Sequence, residues 1–261
     1  MEHRAVILAG GKGTRLAPFT TVLPKPLMPI GDRAILDIVV RQLRSHGFTD
    51  FTIAVGYLAH LIQAVFGDGS GHGVRIGYQL EETPLGTAGP LATIDGLDST
   101  FLTMNGDVLT TLDYSKLMDA HRAAGNVATI ATHRRIVKTE YGVLHVAGHR
   151  GETVRVTAYE EKPELAYTVS MGVYVLEPEA LEHIPNGRPF DIPDLVLALL
   201  EADDPSVPTS MTVTGSTSGA TTITSRRSRT RTRSCRGYSA RPEALKTSSL
   251  RSIRRAGRQG P

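Results

Sequence analysis

Residues 4–16 read RAVILAGGKGTRL. An apolar run of strand type ends in three glycines, Gly10, Gly11 and Gly13, with Lys12, Thr14 and Arg15 set among and after them. Glycines let backbone N–H groups approach an anion closely, and the hydroxyl and cationic neighbours add donors and charge, so the stretch reads as a strand delivering the chain into a phosphate loop. The Walker order (Gly, four residues, then Gly-Lys-Ser/Thr) is absent, and the dinucleotide fingerprint fails because its third glycine position is Leu16. Taken alone, the loop also admits a plain reading as a glycine-rich turn without a ligand.

Outward from this strand the chain alternates. AILDIVVRQLRSHG (34–47) places Ile35, Ile38, Val39 and Leu43 on three-and-four spacing and stops at Gly47, which predicts a helix. FTIAVG (51–56) reads as a strand and YLAHLIQAVFG (57–67) as a helix, which completes a βαβ start. Further strands are expected at RIGYQL (75–80), TFLTMNGD (100–107) and VATIATH (127–133), with helices around Ala88–Ile94 and Tyr114–Ala124. YGVLHVAG (141–148) and ETVRVTAYEEKP (152–163) alternate as a hairpin, SMGVYVLEP (170–178) is a strand, and IPDLVLALLEAD (192–203) is the last helix. Alternating strands and helices predict an α/β domain with a mostly parallel sheet covered on both faces. In such sheets ligands bind beyond the carboxyl ends of the strands.

Charge divides the chain in two. From Ser206 onward there are 12 Lys+Arg and a single acid, whereas residues 1–205 hold 17 Lys+Arg and 25 acids. The acidic part is long enough for one domain with a buried core, since domains commonly run about 100–200 residues. The basic part is rich in Ser, Thr and Arg and poor in large apolar residues, so it cannot bury enough surface to offset its chain entropy and is expected to be poorly ordered. Cys235 is the single cysteine, which excludes a disulfide framework and a cysteine metal site. No apolar run approaches the roughly 18 residues of a membrane span and no signal-peptide pattern opens the chain. The expectation is a cytoplasmic protein with no membrane partner.

Nine residues after Leu16 comes Lys25, held between two prolines in LPKPLMPIG (23–31). Alone, this reads as a rigid surface turn with a solvated lysine. Together with the glycine loop, and followed in order by EETPLGTAGPL (81–91), NGD (105–107), YGV (141–143), YEEKP (159–163) and SMGVYV (170–175), it resembles the sugar-1-phosphate nucleotidyltransferases, or NDP-sugar pyrophosphorylases. EETPLGTAGPL is most similar to the mannose-1-phosphate guanylyltransferase branch. The resemblance covers residues 3 to about 204 and implies a Rossmann-like three-layer domain, with a mostly parallel mixed sheet and a small β-hairpin insertion, over residues 1–204.

The same resemblance implies the chemistry. A sugar 1-phosphate attacks the α-phosphorus of a nucleoside triphosphate and pyrophosphate leaves, so catalysis is mostly positioning and charge neutralisation. Leu8, Gly10, Gly11, Gly13, Thr14, Gly86 and Thr87 would hold the nucleotide. Arg15, Lys25 and Lys162 would be the catalytic cations, with Lys162 gripping the sugar phosphate. Asn105, Tyr141, Gly142, Glu161 and Gly172 would complete the sugar-phosphate side, and Asp107 would hold Mg²⁺. Glu81 stands where the family places a polar side chain against the base; a carboxylate accepts from adjacent N–H donors, which guanine offers at N1 and N2, so GTP is favoured. dTTP with glucose 1-phosphate is the alternative pair, mannose and glucose 1-phosphate both stay open as acceptors, and a homo-oligomer is compatible with the family. A non-catalytic nucleotide-sugar sensor is the competing class of function.

Family members continue past the last helix with a strand carrying WLDIG, whose aspartate is the second metal ligand. Here residues 211–224 read MTVTGSTSGATTIT. A one-nucleotide slip near residue 205 makes the last base of each codon the first base of the next; Met has one codon, ATG, and Thr begins AC, so the straddling codon is GAC. Continued in this way, the segment admits the reading YDGYWLDIGRHDDY. The segment 205–261 is therefore expected to be an out-of-frame translation. Its functional alternative is an Arg-rich nucleic-acid arm; the slip reading implies no nucleic-acid partner, only small-molecule substrates.

Overall fold

A computed structural model describes residues 3–11, 13, 18–148 and 154–202, and the backbone of 211–215 and 222–224. Thr14 and Arg15, and the rest of the segment from 205 onward, lie outside the described residues.

The strands are β1 (His3–Ala9), β2 (Pro29–Ile30), β3 (Arg33–Ala34), β4 (Phe48–Val55), β5 (Arg75–Leu80), β6 (Phe101–Asn105), β7 (Ala128–Lys138), β8 (Val143–Ala147), β9 (Arg155–Glu160), β10 (Glu164–Leu176), β11 (Met211–Gly215) and β12 (Thr222–Thr224). The helices are α1 (Ile35–Ser45), α2 (Ala59–Phe66), α3 (Tyr114–Ala124) and α4 (Ile192–Glu201). Eight strands form one sheet in the order β12-β11-β7-β10-β6-β1-β4-β5. β1 pairs parallel with β4 and β6, β4 with β5, and β7 with β11; β10 runs antiparallel to both β6 and β7. The mostly parallel sheet expected from the alternation is present, and it is mixed and Rossmann-like, as the family resemblance implied.

β1 is central because it can be buried on both faces: Ala5, Val6 and Ile7 have no exposed surface. Successive side chains of a strand point to opposite faces, so Val6 and Ile7 enter different cores. Ile7 joins Leu36, Val39, Val40 and Leu43 of α1, Ile62 and Phe66 of α2, and Leu117 and Met118 of α3. Val6 joins Leu91, Ile94 and Leu97 with Ile192, Leu195 and Leu199 of α4. These are the outer layers of a three-layer domain. Each fully buried Leu, Ile or Val contributes about 1.5–3 kcal/mol relative to exposure, so the sheet that carries the loops described below is firmly held.

α3 packs on the same face of the sheet as α1 and α2, through Leu117 and Met118. Asp113 caps it by accepting from the Lys116 N–H at 3.0 Å, and Gly125, at φ +60, ends it. His121 of α3 is fully buried, with Nδ1 2.8 Å from Thr129 Oγ1 and Nε2 3.0 Å from Glu177 Oε1.

The structure differs from the sequence reading in three places, and two of the differences have a plain physical cause. The helix expected at Ala88–Ile94 is a 3₁₀ turn over Gly89–Thr93, because Pro90 has no N–H and the N–H groups of Ala88 and Gly89 both donate to Phe190 O at 2.9 Å. β10 begins at Glu164, well before SMGVYV; its outer half pairs with β7 as a long exposed ribbon whose alternation buries neither face, which leaves no apolar signal. Beyond residue 204, where no lasting strand period is visible, the backbone of Met211–Gly215 pairs parallel with β7 and that of Thr222–Thr224 antiparallel with β11.

Candidate active site

The chain runs outward from β1 through β4 to β5 and then crosses back to β6 on the other side of β1. At that switch point the loops leaving the carboxyl ends of β1, β5 and β6 part and leave a crevice, as open sheets of this kind require. A cavity of about 490 Å³ fills it. Leu8, Gly10, Gly11 and Gly13 line it from β1, Lys25 and Pro26 from the proline-bounded turn, Glu81, Pro84, Gly86 and Thr87 from the β5 loop, and Asn105 and Asp107 from the end of β6.

Close backbone approach explains Gly10 and Gly13, whereas a Cβ at Gly11 would meet no atom within 4 Å. Gly13 has φ +61, and a Cβ there would press on Thr20 Cγ2 at 3.0 Å and Lys25 Cβ at 3.2 Å; Thr20 donates to Gly13 O at 3.0 Å and so ties the loop to the short turn Phe19–Thr21 that precedes Lys25. An added Cβ at Gly10 would overlap the Glu81 carboxylate, 3.0 Å from its Cδ and closer still to Oε1. Glu81 thus lies directly over the Gly10 backbone. Its own N–H donates to Val55 O at 2.8 Å, and its Oε2 accepts from the Leu85 N–H at 3.3 Å. Burial pushes the Glu81 carboxyl above the usual carboxylate range, and the Leu85 hydrogen bond opposes this in part. A half-buried carboxylate in a cavity wall calls for further N–H donors.

Also in the cavity lining, Lys25 Nζ forms an ion pair with the Asp107 carboxylate. Lys25 sits in a short 3₁₀ turn, Lys25–Leu27, between Pro24 and the buried Pro26, so its backbone is fixed although its side chain is partly exposed. Asn105 is supported by Gly172 of β10, which has φ +75; a Cβ there would lie 2.8 Å from Asn105 Nδ2. The register of β10 shifts between Ser170 and Tyr174, around this glycine.

The remaining expected residues are not brought to the cavity. Tyr141, Gly142, Glu161 and Lys162 lie at the β8–β9 hairpin and the turn into β10; Tyr141, Glu161 and Lys162 are exposed, Gly142 is partly buried, and none is in the cavity wall. They form a cluster of their own. Tyr159 donates to the Glu161 carboxylate, and its ring lies where a Cβ on Gly142 would stand. Lys162 has φ +47, a left-handed conformation that costs a non-glycine residue on the order of 1–3 kcal/mol and recurs at functional sites. Arg15 and Thr14 lie outside the described residues.

Among the described residues no group of three or more His, Cys, Asp or Glu is placed to hold a metal ion. Mg²⁺ does not need such a cage: it is commonly bound through one or two carboxylates, with water and substrate phosphates completing its shell. Asp107, which lines the cavity beside Lys25, fits that donor set. Among the described residues no helix is long and apolar enough to cross a membrane.

One residue at this site escaped the sequence reading. Asp191, at the N-cap of α4, accepts from Thr87 N at 2.9 Å and from Thr87 Oγ1 at 3.0 Å. FDIPDL does signal a helix start, with an acid before Pro193, but nothing in it points to a partner 104 residues earlier.

The nucleotidyl transferase family model matches residues 4–212. Over 208 residues the chain is 35% identical to a UTP--glucose-1-phosphate uridylyltransferase of Synechocystis sp., covering 72% of this chain and 53% of that protein. Over 203 residues it is 35% identical to a mannose-1-phosphate guanylyltransferase of Mycobacterium tuberculosis, covering 76% of this chain and 55% of that protein. The chain thus spans about half the length of these relatives. Its fold is similar to that of a crystal structure titled as a putative glucose-1-phosphate thymidylyltransferase from Bacillus anthracis, with a TM-score of 0.62 at 20% identity, covering 82% of this chain and 87% of that one.

Proposed function

We propose a function from the premise that the chain belongs to the nucleotidyl transferase family: transfer of a nucleotidyl group from a nucleoside triphosphate to a sugar 1-phosphate. The observation that carries this is a single cavity into which Gly10, Gly11, Gly13, Lys25, Glu81 and Asp107 all converge. Relatives named as uridylyl- and guanylyltransferases of sugar 1-phosphates support the same class of reaction.

In the proposed reaction a phosphate oxygen of the sugar 1-phosphate forms a bond to the α-phosphorus, the bond from that phosphorus to the bridging oxygen of the β-phosphate breaks, and pyrophosphate leaves with the electron pair. The chain contributes placement and charge. The glycine loop presents N–H groups to the triphosphate, and Lys25 neutralises charge that builds on the phosphates. Arg15 shares that task, and Lys162 with Glu161 grips the sugar phosphate as the β8–β9 hairpin meets the substrate. Asp107 would hold Mg²⁺, which, when bound, screens the negative charge of the phosphates.

GTP is the nucleotide this reading favours. Guanine offers two adjacent N–H donors at N1 and N2, which would satisfy the half-buried Glu81 carboxylate, whereas thymine and uracil offer one. Mannose 1-phosphate or glucose 1-phosphate is the acceptor. Calorimetric titration with GTP, dTTP, UTP and ATP tests the base: GTP should bind tightest, and a preference for dTTP would show that Glu81 does not read it.

The reading includes the out-of-frame account of the segment from 205. The family match ends at Thr212, where the alternative frame would continue into YWLDIG. Without that aspartate the chain should bind nucleotide yet transfer it poorly, because a second carboxylate for Mg²⁺ is missing.

A further inference from the structure

The β5 loop that runs from Glu81 to Gly89 contributes Glu81, Pro84, Gly86 and Thr87 to the cavity wall; its start is fixed where Glu81 N donates to Val55 O and Leu85 N to Glu81 Oε2. Its far end is held by the segment leading into α4. Phe190 N donates to Leu85 O, and Phe190 O accepts from both Ala88 N and Gly89 N, each at 2.9 Å. Asp191 adds the side-chain part of this clasp. One carboxylate oxygen, Oδ1, receives both the N–H and the hydroxyl of Thr87, while the Thr87 hydroxyl oxygen accepts from Ile192 N at 2.8 Å. The Thr87 hydroxyl is therefore committed to α4. Gly86, at φ +78, lies against the same oxygen: a Cβ there would stand 2.9 Å from Asp191 Oδ1 and 2.6 Å from Phe190 O. α4 is anchored in the second core through Ile192, Leu195 and Leu199, so what holds Thr87 is a rigid element.

We propose that Asp191 is a positioning residue for nucleotide recognition, acting through Thr87 to hold the base-facing loop against the glycine loop. The inference rests on the nucleotidyl-transfer reading and deepens it. Asp191 does not touch substrate. Its carboxylate fixes Gly86 and Thr87 in the cavity wall, and with them the spacing between the β5 loop and Gly10. A nucleotide then meets a preformed wall and does not have to order the loop on binding. The sugar-phosphate side, on the β8–β9 hairpin and the end of β6, makes none of these contacts.

The test uses the full chain and three variants: Asp191→Ala, which removes the acceptor; Asp191→Asn, whose amide oxygen can still accept both bonds; and Thr87→Val, which keeps the shape and the N–H but loses the hydroxyl. GTP affinity is measured by calorimetry, and KM for GTP and for mannose 1-phosphate by pyrophosphate release. Asp191→Ala should weaken GTP about tenfold, the loss expected for charge-assisted hydrogen bonds, with KM for the sugar phosphate unchanged. Asp191→Asn should stay within about twofold of the parent. Thr87→Val should weaken GTP in the same direction, and the Asp191→Ala/Thr87→Val double variant should be no worse than Asp191→Ala alone. If Asp191 only caps α4, Asp191→Ala melts lower but its folded fraction binds GTP normally, and the proposal falls while the functional reading stands. A parent chain that binds no nucleotide at all overturns both.

Discussion

Replacing Gly10 by alanine isolates the contact on which base recognition is proposed to depend. Gly10 has no left-handed φ, so alanine can adopt its backbone conformation. The new methyl would overlap the Glu81 carboxylate, whose Cδ is 3.0 Å from the ideal Cβ position. The carboxylate must recede by roughly an ångström to reach ordinary contact, and because it ends a flexible side chain it can do so without moving backbone. The hydrogen bond from Leu85 N to Oε2, at 3.3 Å, goes with it. Losing that bond costs about 1 kcal/mol of stability, which the lower chain entropy of alanine offsets in part, so Tm should fall by no more than about 2–4 °C. Nucleotide binding should suffer more. A carboxylate pulled out of register with guanine N1 and N2 forfeits a charge-assisted pair of about 1.5–3 kcal/mol, or roughly tenfold to hundredfold in Kd. Calorimetric titration with GTP reads the loss, and a Glu81→Ala background identifies its route. If the methyl acts through Glu81, Gly10→Ala adds less than about 0.5 kcal/mol in that background. Unchanged GTP affinity in Gly10→Ala, or the full loss persisting without Glu81, would refute the reasoning.

Other perturbations separate the remaining parts of the account. Glu81→Gln should cut the preference for GTP over dTTP by about 1–3 kcal/mol, read as a ratio of dissociation constants. The same variant should melt higher than the parent near pH 7: the folded Glu81 pKa is raised by burial, so its contribution to stability is present below the ordinary carboxylate pKa and lost as pH rises through the raised value, and the advantage of Gln should vanish toward pH 4. Lys25→Ala should lower the rate of pyrophosphate release by roughly 10²–10³ with little change in Tm, since it removes a charge facing the phosphates and an ion pair that is partly exposed. Burial holds the His121 pKa down although Glu177 opposes this, so the unfolded chain takes up a proton near pH 6.5 before the native one does. Denaturation midpoints should therefore fall from pH 7 to pH 5, and His121→Gln should flatten that slope; an unchanged slope would mean His121 titrates normally in the fold.

The parts of the site legible in the sequence are those whose residues lie together within one loop. Gly10, Gly11 and Gly13 follow a strand whose apolar run is unbroken, so both the strand and the cavity wall could be read from thirteen residues. Lys25 and Asp107 were readable as a constellation only through the order of motifs, and they meet as an ion pair in the cavity. Long-range contacts were not readable. Asp191 and Thr87 look like an ordinary helix cap and an ordinary loop threonine until the α4 N-terminus is seen against the β5 loop. Nor was the outer half of β10: Leu165 and Tyr167 are about half exposed, so no core stripe marks them as strand. Tyr141, Gly142, Glu161 and Lys162 were read for the sugar-phosphate side; they lie at the β8–β9 hairpin and the turn after it, where Tyr159 gathers Glu161 and Gly142 into a cluster of their own.

The most direct test of the central proposal is pyrophosphate release from GTP and mannose 1-phosphate with Mg²⁺, measured for this chain, for a form restored to YDGYWLDIG by shifting the frame near codon 205, and for Lys25→Ala in each. The account predicts release that requires both substrates, is slow in this chain, fast in the restored form, and lost in both Lys25→Ala variants. Equal rates in the two forms would contradict the frame account, and the absence of release from either form, with GTP or dTTP and with mannose or glucose 1-phosphate, would contradict nucleotidyl transfer itself.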